Sequence, residues 1–180
     1  MAATFPPTDL GRLEERRPEL AGWVHVAQEP TSFLRLGLCS AAWLTNALAS
    51  LVAAETRAPL AGEALVHLDV RSDNLCFVDD RVVLIDWNWA CRGNGTVDIA
   101  AWLPSLQVEG GPSPETILPH APHLAAWISG YFAARAGLPA VNVKASVRTL
   151  QLAQLRVALP WAVRALGLPA LDGEASAGRV

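Results

Sequence analysis

Three polar residues, His67, Asp69 and Asn74, fall at the spacing H-x-D-x-x-x-x-N within the stretch Leu65 to Trp87. Two apolar, β-prone runs follow, Leu75 to Val78 and Arg81 to Ile85, separated by the turn-forming pair Asp79-Asp80. That pattern predicts a tight hairpin. The second run delivers Asp86 straight after Ile85, a residue expected to be buried. Folding the hairpin brings Asn74, at the start of one strand, beside Asp86, at the end of the other. An amide oxygen and a carboxylate are hard donors suited to Mg²⁺, which binds through one or two carboxylates plus substrate phosphates. Asp69, on the same loop, can then face a hydroxyl that attacks a metal-bound phosphate. The chemistry open to this layout is phosphoryl transfer. A polar surface loop before an ordinary hairpin would explain Asp79 and Asp80. It would not explain why Asp69, Asn74, Asp86 and Asp98 follow one another in this order.

The segment resembles the catalytic loop and metal-binding aspartate of the protein-kinase-like phosphotransferases, and within them the aminoglycoside phosphotransferase and choline kinase-like group. That group reads His-Gly-Asp-Leu-His-Pro-Gly-Asn, a hairpin, Ile-Asp-Trp or Ile-Asp-Phe, and then Gly-Asp-Pro-x-x-Asp-Leu-Ala. This chain has His67-Leu-Asp69-Val-Arg71-Ser-Asp-Asn74, then Ile85-Asp86-Trp87, then Gly93-Asn-Gly-Thr-Val-Asp98-Ile-Ala100. The resemblance implies Asp69 as catalytic base, Asn74 and Asp86 as ligands of Mg²⁺ with ATP as co-substrate, and His67 as a structural brace. It implies that Asp98 holds the loop backbone from the start of the next helix. Leu68 and Asp73 stand where the group has glycine, and Arg71 stands where it often has histidine. A cation at Arg71 can still meet the γ-phosphate.

The elements that must position these residues are mostly helical. Apolar residues make up 52% of the 180, enough for one domain with a sizeable core. A net charge of −3 without a Lys/Arg cluster excludes a basic nucleic-acid footprint. The mild acidic balance suits a cationic substrate such as an aminoglycoside. Cys39, Cys76 and Cys91 have no C-x-x-C spacing and read as reduced, mostly buried thiols of a cytoplasmic protein. No apolar core of a signal peptide follows Met1. A helix is expected from Thr8 or Asp9 through Arg17, and another from Pro18 to about Gln28. The uncharged stretch Leu36 to Ala54 has the length of a membrane span. Ser40, Thr45, Asn46 and Ser50 interrupt it, so a buried amphipathic helix is expected instead, with no membrane contact. Trp87 to Gly93 reads as a loop, with Trp87 and Trp89 spaced to flank a small pocket or to pack. Asp98 begins a helix to about Leu106, and Glu115 to Ala136 reads as one helical region broken around His120 and His123. A last helix runs from Val141 to about Leu159, kinked or ended by Pro160.

The fold expected is therefore α+β and mostly helical: the C-terminal lobe of a protein-kinase-like fold, with a short hairpin after the catalytic loop. Residues 1–7 read as an extended lead-in, 8–168 as the lobe and 169–180 as a flexible tail. The 66 residues before His67 contain no G-x-G-x-x-G and no lysine, since Lys144 is the only one. The N-terminal lobe that supplies both in such enzymes is thus expected to be absent, leaving the chain incomplete and inactive alone. The function implied is an ATP-dependent small-molecule kinase, acting on a hydroxyl of an aminoglycoside-like or amino alcohol-like acceptor, with Arg71 offsetting charge on the transferring group. The alternative is a truncated, pseudokinase-like binding module. A metal-dependent hydrolase built on His67, Asp69 and Asp86 is weaker, because no second histidine ligand is placed nearby.

Overall fold

A computed structural model describes Pro7, residues 9–141 and residues 143–173. Its architecture is mostly helical α+β, with helices α1 (Arg17–Leu20), α2 (Gly22–Gln28), α3 (Thr31–Leu34) and α4 (Ala41–Thr56) leading into strand β1 (Ala64–Val66). Strands β2 (Leu75–Val78), β3 (Arg81–Leu84) and β4 (Cys91–Gly93) follow, and then helices α5 (Thr96–Val108), α6 (Pro114–Ile117), α7 (Pro122–Ala136) and α8 (Ala145–Ala165). The strands form two antiparallel pairs, β1 with β4 and β2 with β3. Helix α7 is the centre of the core. Every residue from Leu124 to Gly130 is buried, and the helix packs on α8, α2 and α4.

One buried carboxylate holds three of these helices together. Glu55, near the end of α4, is 1% exposed. It accepts hydrogen bonds from the backbone N–H groups of Gly22 and Trp23 through Oε1, at 2.8 and 3.0 Å, and from Val24 through Oε2, at 3.2 Å. These are the free donors of the first turn of α2, whose dipole also favours a negative charge there. The approach requires glycine twice. A Cβ on Gly22 would lie 1.7 Å from the carbonyl oxygen of Gly130, and one on Gly130 would lie 2.2 Å from Glu55 Oε1.

The same contact corrects the helix expected from Pro18 to Gln28. Ala21 is extended, with ψ of 107°, and splits it into α1 and α2, so that Glu55 can reach the new N-terminus. The charged helix expected before it shrinks to a 3₁₀ turn, Leu13–Arg16. Gly11 and Arg12 are drawn out instead to pair with Arg92, whose N–H donates to Gly11 O at 2.9 Å. Thr8, its expected cap, lies outside the described residues.

Helix α4 begins only after Gly37, which has φ of +66°, with Ser40 capping the N–H of Trp43 at 3.0 Å. Leu44 and Leu51 are buried as expected, whereas Leu48 and Val52 are half-buried. Among the described residues no helix is long and apolar enough to cross a membrane. Helix α8 starts at Ala145, past Val141 and Val143, and runs through Pro160 to Ala165. Trp161, Ala162 and Val163 beyond the proline are buried, and that packing outweighs the one backbone bond that Pro160 cannot donate. Residues 169–173, placed by the sequence in the tail, lie against α4. Trp43 Nε1 donates to Pro169 O at 2.9 Å, and Asp172 accepts from Ser40 N and Oγ at 2.7 and 2.6 Å.

Burial pushes the Glu55 carboxyl up from its ordinary range, against the lowering effect of the bonds from Trp23, Gly22 and Val24. The native state therefore holds the Glu55 proton more tightly than the unfolded chain. Its contribution is fullest below the ordinary glutamate value, about 4.3, and declines as pH rises through the folded value. Urea unfolding should find the stability of the parent relative to Glu55→Gln greater at about pH 4 than at about pH 7. Glu55→Ala should cost about 2 kcal/mol or more, because three donors lose their acceptor. A pH-independent gap between parent and Glu55→Gln would contradict the burial argument.

Candidate active site

The site begins where β1 ends. Val66 and His67 are fully buried, and the chain then turns at Leu68, which has φ of +65°. A leucine in this left-handed region costs about 1–2 kcal/mol. What holds it there is Asp98, in the first turn of α5. Its Oδ2 accepts from His67 N and its Oδ1 from Leu68 N, both at 2.8 Å. Two stranded donors would cost about 1–3 kcal/mol each, so these bonds outweigh the strain. Burial raises the Asp98 carboxyl above its ordinary range, with the bonds from His67 and Leu68 and the nearby imidazole pulling the other way.

The imidazole of His67 ties the loop to the hairpin. Nε2 lies 2.8 Å from Ile85 O, which can only accept, so Nε2 carries the proton. Nδ1 is then free to accept the N–H of Asp69, at 3.2 Å. Trp87 packs edge-on against the ring, with centroids 4.6 Å apart, and its indole N–H donates to Leu84 O at 2.8 Å.

Asn74 is buried at the end of a 3₁₀ turn, Ser72–Asn74. Its Nδ2 donates twice to Asp69, to the backbone carbonyl at 2.8 Å and to Oδ2 at 3.1 Å. The other carboxylate oxygen of Asp69 faces Arg71, whose Nε lies 3.1 Å away, an ion pair by distance without hydrogen-bond geometry. Arg71 also reaches Asp73 Oδ2 at 3.2 Å. The hairpin has the expected turn, with Asp79 at φ of +50° and Leu75 opposite Leu84. One step further out, Ile85 N donates to Asn74 O at 2.9 Å. That pairing puts Asn74 and Asp86 at the same open end of the hairpin. Asp86 is exposed, with φ of +63°, and its Oδ1 accepts from the side chain of Asn88.

The structure thus links His67, Asp69, Arg71, Asn74 and Asp98 in one network. Asp86 joins it through the backbone of Ile85. The strands themselves depart from expectation: Phe77 is 78% and Val82, opposite it, 60% exposed, and Ile85 is exposed too. The loop read from Trp87 to Gly93 ends in β4, whose Cys91 pairs with Val66 of β1 and fixes the start of the site. Ser72 donates to Glu109 at 2.7 Å, a second tie to α5 with no local sequence signal.

Asp69 and Arg71 open into a cavity of about 420 Å³. Its other walls come from α1 and the turn before it, from Trp89, and from α7 and α8. Sequence reasoning marked only Trp89 as a pocket candidate. His120 and His123 line a different cleft. Among the described residues no group of three or more His, Cys, Asp or Glu could hold a metal ion. The oxygens of Asn74 and Asp86 are nevertheless the hard donor set that Mg²⁺ accepts, with phosphate and water completing the shell.

A mostly helical body with a short hairpin, and a half-buried loop that presents one carboxylate to a cavity of small-molecule size, define a candidate transferase site. The model of the phosphotransferase enzyme family matches residues 2–141, more than half of the chain, and the chain belongs to that family. Family membership implies phosphotransferase activity in general terms. No curated protein and no solved structure gives a match.

Because Asp98 satisfies two backbone donors while Asp69 lines a cavity, the two carboxylates should differ in what their loss does. Asp98→Ala should lower stability by about 2 kcal/mol or more, and by more than Asp69→Ala. Thermal unfolding of both variants checks this. A larger loss for Asp69→Ala would mean that the loop hangs on Asp69 instead.

Proposed function

We propose that this chain is the C-terminal, catalytic lobe of a protein-kinase-like enzyme that transfers the γ-phosphate of ATP to a hydroxyl of a small molecule. The observation that carries the reading is Asp69: it lines the cavity while Asn74, His67 and Arg71 fix its carboxylate and backbone. A base held in this way can orient an acceptor hydroxyl toward phosphorus and take its proton.

Asn74 and Asp86 would hold Mg²⁺, for which their oxygens are suited. When bound, the ion neutralises phosphate charge and aligns the phosphates. Asn74 spends both amide hydrogens on Asp69, so its amide oxygen is the atom left to a cation. Arg71, half-buried beside Asp69, would offset charge on the transferring group. His67 and Asp98 act as braces. The resemblance points to aminoglycoside-like or amino alcohol-like acceptors, and a cytoplasmic setting accords with ATP as co-substrate and with three free cysteines.

Titrating the protein with MgATP should change the fluorescence of Trp87 and Trp89, which flank Asp86. Asp86→Asn should abolish the response, and an equal response in that variant would remove Asp86 from the ligand set. In the chain joined to a kinase-like N-terminal lobe, acceptor-dependent ADP release should fall by about 100-fold or more in Asp69→Asn. Turnover within a few-fold of the parent would show that Asp69 is not the base.

A further inference from the structure

The cavity beneath Asp69 carries chemistry that the family's reaction alone does not determine. Two of its four aromatic rings already face cations. The guanidinium of Arg135 lies over the ring of Tyr131 at 4.0 Å, and that of Arg16 lies 5.2 Å from the ring of Trp89. Both arginines are anchored by backbone carbonyls. Arg135 donates to Tyr131 O and Glu19 O at 3.1 Å each, and Arg16 to Trp89 O at 3.3 Å. Faces of this kind could cage a ligand ammonium. Here the protein has filled two of them itself.

The carboxylates in the wall are poorly placed to replace them. Asp69 is engaged on both oxygens, by Asn74 and Arg71. Glu19 is 3.7 Å from Arg16, and its side chain is 63% exposed against 24% for the arginine, so it faces water more than the cavity. Three guanidinium groups, Arg16, Arg71 and Arg135, thus line the space with two carboxylates, so positive charge is in excess there. Such a wall favours a ligand with acceptor oxygens, because an enclosed guanidinium is best met by an opposite charge.

We propose that the phosphate acceptor is a hydroxycarboxylic acid with an aromatic or alkyl body, and not the amine to which the resemblance points. The proposal rests on the phosphotransferase reading above. The apolar body lies against Trp127, Ile128 and Phe132, its carboxylate meets Arg16 and Arg135, and its hydroxyl faces Asp69. That hydroxyl oxygen forms the new bond to the γ-phosphorus of ATP. The bond from the γ-phosphorus to the bridging oxygen breaks, ADP leaves, and the hydroxyl proton passes to Asp69 and on to solvent. A volume of about 420 Å³ is at the small end of ordinary ligand sites, which suits one ring and a short chain.

The test compares matched probes by calorimetric titration of the 180-residue chain. 3-Phenyllactate and phenylalaninol share ring and hydroxyl but carry opposite charges, and kanamycin represents the polyamines. 3-Phenyllactate should bind about tenfold or more tightly than phenylalaninol, and kanamycin more weakly still. Arg16→Gln and Arg135→Gln should each reduce that ratio by about threefold or more, with unchanged circular dichroism. Arg16→Gln serves alone if loss of the Arg135 bonds disturbs folding. Equal or tighter binding of either amine, or no binding of 3-phenyllactate, overturns the proposal. The MgATP response that depends on Asp86 is independent of these outcomes. Its absence would count against the phosphotransferase reading while the acid preference stood, and an amine preference would leave that reading intact.

Discussion

The geometry of the cavity depends on a carboxylate that never touches it. Glu55 closes the N-terminus of α2 from inside the core, and it can do so only because Gly22 and Gly130 carry no side chain. The result is a fixed distance between the α1–α2 segment and α7. Both line the cavity: α1 and the turn before it bring Arg16 and Leu20, and α7 brings Trp127, Tyr131 and Arg135. A carboxylate in the core is ordinarily expensive. Here the cost is offset by three backbone donors that a helix start leaves free in any case. The Arg17 guanidinium adds to the same junction by donating to Glu55 O, Thr56 O and Ala58 O, so the end of α4 is held from two sides.

Asp98 plays the corresponding part for the loop. It too sits in the first turn of a helix, but it faces backwards, onto the chain that leaves β1. Its two bonds keep Leu68 in a conformation suited to glycine, and that reversal is what turns Asp69 toward the cavity. His67 then couples the loop to the hairpin through Ile85, next to Asp86. The proposed base and the proposed metal ligand are thus placed by one buried imidazole and one half-buried carboxyl. Helix α5 is gripped again at its far end by the bond from Ser72 to Glu109.

How much of this was legible in the sequence follows from how local each signal is. The hairpin was legible because Asp79-Asp80 can form its turn and the flanking runs are β-prone. The order of His67, Asp69, Asn74, Asp86 and Asp98 was legible because a short loop and one hairpin connect them. Strand β4 was not, since Cys91–Gly93 acquires its extended form only by pairing with β1, which lies far away in the chain. The break at Ala21 was hidden for the same reason: nothing between Pro18 and Gln28 says that a carboxylate from α4 will claim the donors of Gly22 to Val24. Pro160 misled in the opposite sense, because its local penalty is real but the burial of Trp161 to Val163 is larger. The exposure of Phe77 and Val82 could not be read either, since apolar strands look alike whether covered or not. The cavity's arginines carry no local signature at all, as Arg16 and Arg135 come to line one cavity only after the helices pack.

The three departures from the family's loop pattern look like separate losses in the sequence, yet in space each has a partner. Leu68 replaces glycine at a left-handed position and is held by Asp98. Asp73 replaces another glycine and accepts the guanidinium of Arg71, itself a replacement, at 3.2 Å. A lysine ammonium or an imidazole could not span Asp69 and Asp73 as a planar fork does. Arg71 is therefore divided between the two carboxylates, and only Asp69 lines the cavity with it. Phosphoryl transfer asks little covalent chemistry of a protein and much positioning. In a site of that kind a carboxylate pinned by Asn74 and Arg71 gains a fixed direction. The direction is what a hydroxyl needs if its oxygen is to meet phosphorus in line. Substitutions that decayed at random would have left unpaired charge around Asp69. These leave it more tightly held.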